Sequence, residues 1–217
     1  MLYIIIILLS NLIFADLLKP INNSLLTQTY ILFEWEQEPE NDYYILNLSE
    51  NPNNIDGNCI ICNHYISESL IHIQREFIEW NKTYYWEIIS HTNDGTENLI
   101  GTSSFSTGPS ISNASTTLYN SNSQDGLTIF GSFFDYYSAV IDESGNEIWN
   151  SGNQDLIFYN TDKYGRFFGA EYIGNNTENN YPGMKFSFEN GIEWQEPGNN
   201  FIHHDIFQLP NGNYLGL

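Results

Sequence analysis

The feature that most constrains this chain is a repeat in its C-terminal half. Ala139 to Trp149 reads Ala-Val-Ile-Asp-Glu-Ser-Gly-Asn-Glu-Ile-Trp, and Met184 to Trp194 reads Met-Lys-Phe-Ser-Phe-Glu-Asn-Gly-Ile-Glu-Trp. Each is a strand-like run, a turn with Gly145 or Gly191, and a second run closing on a tryptophan; Trp149 and Trp194 lie 45 positions apart. A second echo sets Tyr159 to Gly169 against Phe207 to Gly216, with one extra residue expected in the first turn. A period in the forties, with about four strands per unit, is what a β-propeller blade requires. The competing reading is two hairpins of a sandwich that merely look alike; paired echoes at matched spacing favour the propeller. A ring needs about four blades, and residues 126–217 supply about two. Leu217 falls in a strand-like run, so the expectation is an N-terminal portion of a longer protein.

Residues 18–107 show short alternating runs between polar turns. Ile31, Phe33 and Trp35 share one face of Thr29 to Glu36, and Tyr84, Trp86 and Ile88 share one face of Thr83 to Ile89. Tyr43 to Leu48, Ser69 to Gln74 and Leu99 to Thr107 complete the set, with a turn at Asn93-Asp94-Gly95. Aromatic residues make up 16% of the chain, and no long helical periodicity appears beyond the N-terminus, so the fold class expected is all-β. About 90 residues of short strands at this spacing suggest a β-sandwich. Residues 108–125 are poor in large apolar side chains and read as a linker.

The segments Phe33-Glu34-Trp35, Tyr43 to Leu46, Trp80 to Ile88 and Phe105-Ser106-Thr107 resemble a fibronectin type III domain. The resemblance implies that Trp35 is core and that Tyr84 forms the tyrosine corner. It implies a spacer or binding module rather than a site of chemistry. The stretch Cys59 to His64 departs from that pattern.

Residues 1–15 are uncharged and largely apolar, interrupted at Ser10-Asn11. They are too short for a membrane span, which needs about 20 apolar residues, and read as a signal peptide ending at Ala15, although a positive n-region is missing. The other reading is a buried first element. With six basic against 27 acidic residues the net charge is -21, which repels nucleic-acid phosphates and anionic membrane surfaces alike. The acidic run through Glu34, Glu36, Glu38, Glu40 and Asp42 lacks the spacing of a calcium loop. Cys59-Ile60-Ile61-Cys62 has no strand-to-helix context for a redox motif. His64 and His72 lie near it without zinc-finger spacing, and a local disulfide or two thiols are the readings left. Asn47-Leu48-Ser49 and Asn81-Lys82-Thr83 are formal glycosylation sequons.

The candidate site is His203-His204-Asp205, followed by Leu209-Pro210-Asn211-Gly212-Asn213. Successive strand residues face opposite ways, so one histidine at most faces inward, and His204 is the candidate. Asp205 either orients an imidazole or serves as a strand-end carboxylate bonded to backbone N–H groups. With the Trp-ending repeats before it, this stretch resembles the arylsulfotransferase family over residues 126–217. The resemblance implies an exported propeller that moves a sulfuryl group from an aryl sulfate to a phenol through a sulfated histidine, with no nucleotide cofactor and no metal. It gives the His-His-Asp histidine a supporting role and places the nucleophile and an arginine in later blades, so the present chain alone is expected to be inactive. Arg166 reads as a turn residue. The alternative function is a non-catalytic secreted or cell-surface binding protein; a quinone-dependent propeller has no supporting motif.

Overall fold

The computed structural model describes residues 16–37, 41–53, 55–67, 71–74, 76–111, 126–133, 135, 137–174, 181–188, 191–197 and 205–217. The signal-peptide reading at 1–15, most of the 108–125 linker and both His203 and His204 lie outside them. The described residues form strands in several sheets, none closed, with no helix, so the chain is all-β. They contain no helix long and apolar enough to cross a membrane. The described residues make two compact units, one from those within 16–24, 32–74 and 83–105, the other from those within 25–31, 76–82 and 106–217.

In the first unit lie β1 (Leu17–Lys19), β3 (Ile31–Trp35), β4 (Asn41–Ser49), β5 (Ile61–Ile66), β6 (Ile71–Gln74), β7 (Thr83–Thr92) and β8 (Glu97–Thr107), with β2 (Ser24–Leu26) beside β8. One sheet has the order β2-β8-β7-β4-β5 and the other β1-β3-β6. Alternation decides which side chains meet. Phe33 packs edge-on against Trp86 at 4.9 Å, Trp35 against Tyr44 at 5.4 Å, and Tyr84 stacks on Phe105 at 5.2 Å. Ile31, Phe33, Trp35, Tyr84, Trp86 and Ile88 are all buried, on the faces their alternation predicts. The stretch from Cys59, which departs from the expected pattern, contains β5, and Cys59 and Cys62 are joined in a disulfide.

The second unit holds three antiparallel groups. The first comprises β9 (Thr128–Ser132), β10 (Tyr137–Ile141) and β11 (Glu147–Asn150), ordered β11-β10-β9. The second runs in chain order through β12 (Leu156–Thr161), β13 (Phe167–Glu171), β14 (Gly183–Ser187) and β15 (Gly191–Gln195), and the third is the hairpin of β16 (Ile206–Gln208) and β17 (Tyr214–Gly216).

The repeat holds at the level of strand register. Val140 pairs with Trp149 and Ile141 with Glu147, across a slip between 140 and 141; Lys185 pairs with Trp194 and Phe186 with Ile192, across the same slip between 185 and 186. The second echo is also in register: Thr161 faces Phe167 as Gln208 faces Tyr214. Its extra residue is not in the turn, as the sequence suggested. The turns Asp162 to Arg166 and Leu209 to Asn213 are equally long, and the additional residue is Tyr159, at the register shift between Phe158 and Asn160. A bulge absorbs one residue without changing the turn.

Four hairpins use one turn. In those starting at Thr92, Asp142, Asp162 and Leu209, the first N–H donates to the carbonyl four residues on, at 2.7–3.2 Å. Its own carbonyl accepts from Gly95, Gly145, Gly165 or Gly212, whose φ values of 74–88° suit glycine. Asp142 Oδ1 and Asp162 Oδ1 each accept backbone N–H groups two and four residues on.

The first two sheets of the second unit share a core of Val140, Ile148, Trp149, Leu156, Met184 and Phe186. Between them the buried Ser138 hydroxyl donates to Leu156 O at 2.7 Å and accepts from Phe158 N–H at 2.7 Å. The approach is close: a Cβ on Gly131 would meet the Phe158 backbone at 2.7 Å. Within the second sheet, β12 and β13 also come close at the bulge, where a Cβ on Gly169 would meet Ile157 O at 2.0 Å. The outer strand β11 is not left open. Thr29 N–H donates to Ile148 O and Asn150 N–H to Thr27 O, both at 2.9 Å, and Trp80 Nε1 donates to Glu147 O at 3.0 Å. The first residues of the expected linker join the same node: Ile111 N–H donates to Glu147 Oε1, and Asn150 Nδ2 donates to Pro109 O.

Substituting Gly169→Ala is therefore expected to destabilise the protein by about 3 kcal/mol or more in urea unfolding, because a backbone carbonyl occupies the new methyl's position. Ser138→Ala is expected to cost about 1–3 kcal/mol, since it strands a buried donor and acceptor. In the Thr92 turn, hydrogen bonds from the Thr92 hydroxyl and from Thr96 hold the Asp94 carboxyl down at about 2, against an ordinary 3.8. A depressed carboxylate stabilises the fold above its unfolded value and loses that contribution as pH falls through the folded one. The melting temperature should therefore fall from pH 3.8 toward about 2, less steeply in Asp94→Asn, as thermal melts across that range will read.

Candidate functional site

Of the three residues singled out by the sequence, Asp205 lies within the described structure, immediately before β16. Its Oδ1 accepts from Ile206 N–H at 2.9 Å and from Asn160 Nδ2 of β12, and its carbonyl accepts from Leu217 N–H at 3.0 Å. The same Asn160 amide donates to Ile206 O at 3.0 Å. Asn160 follows the bulged residue Tyr159, so the displaced register of β12 presents its amide to the next hairpin. This geometry is that of a strand-end carboxylate bonded to a backbone N–H. His203 and His204 precede it directly in the chain.

Arg166 ties the same two hairpins together at their turns. Its Nε donates to Asp162 Oδ2 at 2.6 Å, its Nη2 lies 2.5 Å from that oxygen, and its Nη1 donates to Gln208 Oε1 at 2.8 Å. Gln208 in turn donates from Nε2 to Gly212 O at 3.2 Å. Partial burial works to raise the Asp162 carboxyl, yet the Arg166 side chain and the N–H groups of Tyr164 and Arg166 hold it below its usual value. The guanidinium is thus engaged on both sides, and Arg166 is the turn residue its position suggested. Asn160 and Gln208 escaped the sequence reading; their signal is their place in the second echo, on the strand that opens each hairpin.

On the opposite side of Asn160 in sequence, Tyr159 belongs to an aromatic group. It stacks on Phe133 at 6.0 Å, Phe133 lies 6.2 Å from Tyr181, and Tyr181 lies 5.3 Å from Tyr172. Tyr181, Ile157 and Ala170 are buried there, and Tyr159 and Tyr172 pack against them. Burial, reinforced by Tyr181, pushes the Tyr159 hydroxyl far above its ordinary value, so it is a neutral hydrogen-bonding group throughout the physiological range. Chemically, the region offers aromatic surface, phenolic hydroxyls and an anchored carboxylate, next to two histidines in sequence. Among the described residues no cluster of three or more His, Cys, Asp or Glu is placed to hold a metal ion.

No protein-family model, no curated protein sequence and no solved structure matches this chain.

The Asp205–Asn160 link has a measurable weight. Asp205→Ala removes the acceptor of a side-chain amide and a backbone N–H together and is expected to lower stability by about 1–3 kcal/mol. Urea unfolding of the full chain checks it, with Asp205→Asn as the milder variant.

Proposed function

We propose that this is an exported protein whose first unit is a fibronectin type III-like sandwich and whose second unit consists of propeller blades, working in sulfuryl transfer between phenolic compounds. The observation that carries the reading is the position of His203-His204-Asp205. It leads into β16, the strand that opens a hairpin in register with β12 and β13. In a propeller the strand that opens a blade lines the central channel, where side chains of successive blades converge. Imidazole suits this chemistry, because it donates to sulfuryl oxygens when protonated and can carry or pass a proton near neutral pH. Phe133, Tyr159 and Tyr172, packed around the buried Tyr181, offer surface against which an aryl ring can pack. In this reading one of the two histidines, His204 first, stabilises the sulfuryl group as the S–O bond to the departing phenol breaks. The nucleophile is left unassigned, and no cofactor is required.

The second reading is a non-catalytic secreted or surface binding protein of the same architecture. It is favoured by the engagement of Arg166 with Asp162 and Gln208 and of Asp205 with Asn160. Arg166 and Asp205 thus serve the scaffold, and neither is free to meet a sulfate.

The experiment is a sulfuryl-transfer assay of the intact exported protein with a chromogenic aryl sulfate and a phenol acceptor. Acceptor-dependent release of the chromophore, lowered about 100-fold in kcat by His204→Asn, is the expected outcome for loss of one transition-state donor. Absence of transfer by folded intact protein, together with retained binding of a partner, would establish the second reading instead.

A further inference from the structure

The histidines the sequence could not connect, His64 and His72, meet in the first unit. Their ring centres are 4.4 Å apart, with the rings tilted by 50°. They arrive from different sheets: β5 is the edge of the five-stranded sheet, and β6 is the edge of the three-stranded one.

A bulge aims His64. Leu46 pairs with His64 and Leu48 with Ile61, so Cys62 and Asn63 stand together opposite Asn47. Asn63 takes a φ of 50°, and its N–H donates to Asn47 Oδ1 at 2.7 Å. Asn47 is itself buried and fixed by donation from Nδ2 to Glu87 Oε1 at 2.9 Å. The extra residue changes the parity of the strand: Ile61 and Ile66, five positions apart, are both buried, and His64 falls on the side of Ile66. The disulfide between Cys59 and Cys62 fixes the entry to this bulge and removes both thiols as ligands.

We propose that His64 and His72 form a two-imidazole site for a divalent transition-metal ion of the Cu(II) or Ni(II) class. With metal–nitrogen bonds near 2.0 Å, each ring centre stands about 3.2 Å from the ion, and two such bonds at a right angle put the centres about 4.5 Å apart. That separation matches the observed pair. The right angle is the geometry of cis positions in a tetragonal complex, where water completes the shell. The ion would clip two edge strands of opposite sheets and so bind the folded chain in preference to the unfolded one.

The test is titration of the full chain, without reductant, with Cu2+ and separately Ni2+, followed by visible absorption and thermal melting. Expected are one equivalent bound, a melting temperature that climbs with metal concentration, and loss of both effects in His64→Asn and in His72→Asn. Circular dichroism confirms that each variant folds; where one does not, the other decides the matter. The paired variant His203→Asn with His204→Asn should leave this binding unchanged, as should His91→Asn. Binding that survives in both single variants at residues 64 and 72, or that disappears with residues 203 and 204, overturns the proposal, as does the absence of binding to folded wild-type protein.

Discussion

The second unit depends on the burial of Trp149. Its ring stacks on Phe186 at 5.9 Å and lies 5.3 Å from Phe188, so a strand of the first sheet is sealed against the second. An indole of this size contributes on the order of 3–5 kcal/mol where truncation leaves a cavity. Its backbone is equally committed, because residues 27–29 pair alongside it and Glu147 and Asn150 collect Trp80, Pro109 and Ile111. Apolar packing on one side and backbone pairing on the other hold this strand from two directions. Ser138 and the glycine at 131 then allow the sheets to approach to hydrogen-bonding distance.

Much of this was legible in the sequence for a simple physical reason. Strand alternation places Ile31, Phe33, Trp35, Tyr84, Trp86 and Ile88 inside, and a two-residue period survives any tertiary context in which one face is buried. The Trp149 and Trp194 echo survives too, because identical registers, including the slip, demand similar residues. The irregular residues were not legible. The site of Tyr159 as a bulge depends on what β13 pairs with, and the inward turn of His64 depends on Asn47 and on Glu87, which lies 40 residues further along. Such positions are set by partners distant in sequence, which local patterns do not encode.

The candidate site divides along the same line. His-His-Asp stands out by residue type, and the carboxylate of Asp205 carries the arrangement that its strand-end alternative described. Its partner Asn160 has no distinguishing chemistry; only the echo between hairpins points to it. Arg166 likewise gains its second partner, Gln208, from the neighbouring repeat. Polar contacts between repeats are therefore visible once the repeats are aligned, and nearly invisible otherwise.

That alignment exposes one more pairing. Trp149 contacts Phe167 at 6.4 Å, and Trp194, its counterpart, stacks on Tyr214 at 3.6 Å; Phe167 and Tyr214 hold the same position in the second echo. The step from one group of strands to the next is thus made by the same two aromatic positions each time. A contact that recurs with the period of the sequence acts as a rule of growth. Duplication of a whole repeat would copy both halves of the joint at once, whereas loss of a single residue between them would uncouple neighbours. Length variation in such an architecture is consequently quantised in complete repeats, with insertions confined to the turns.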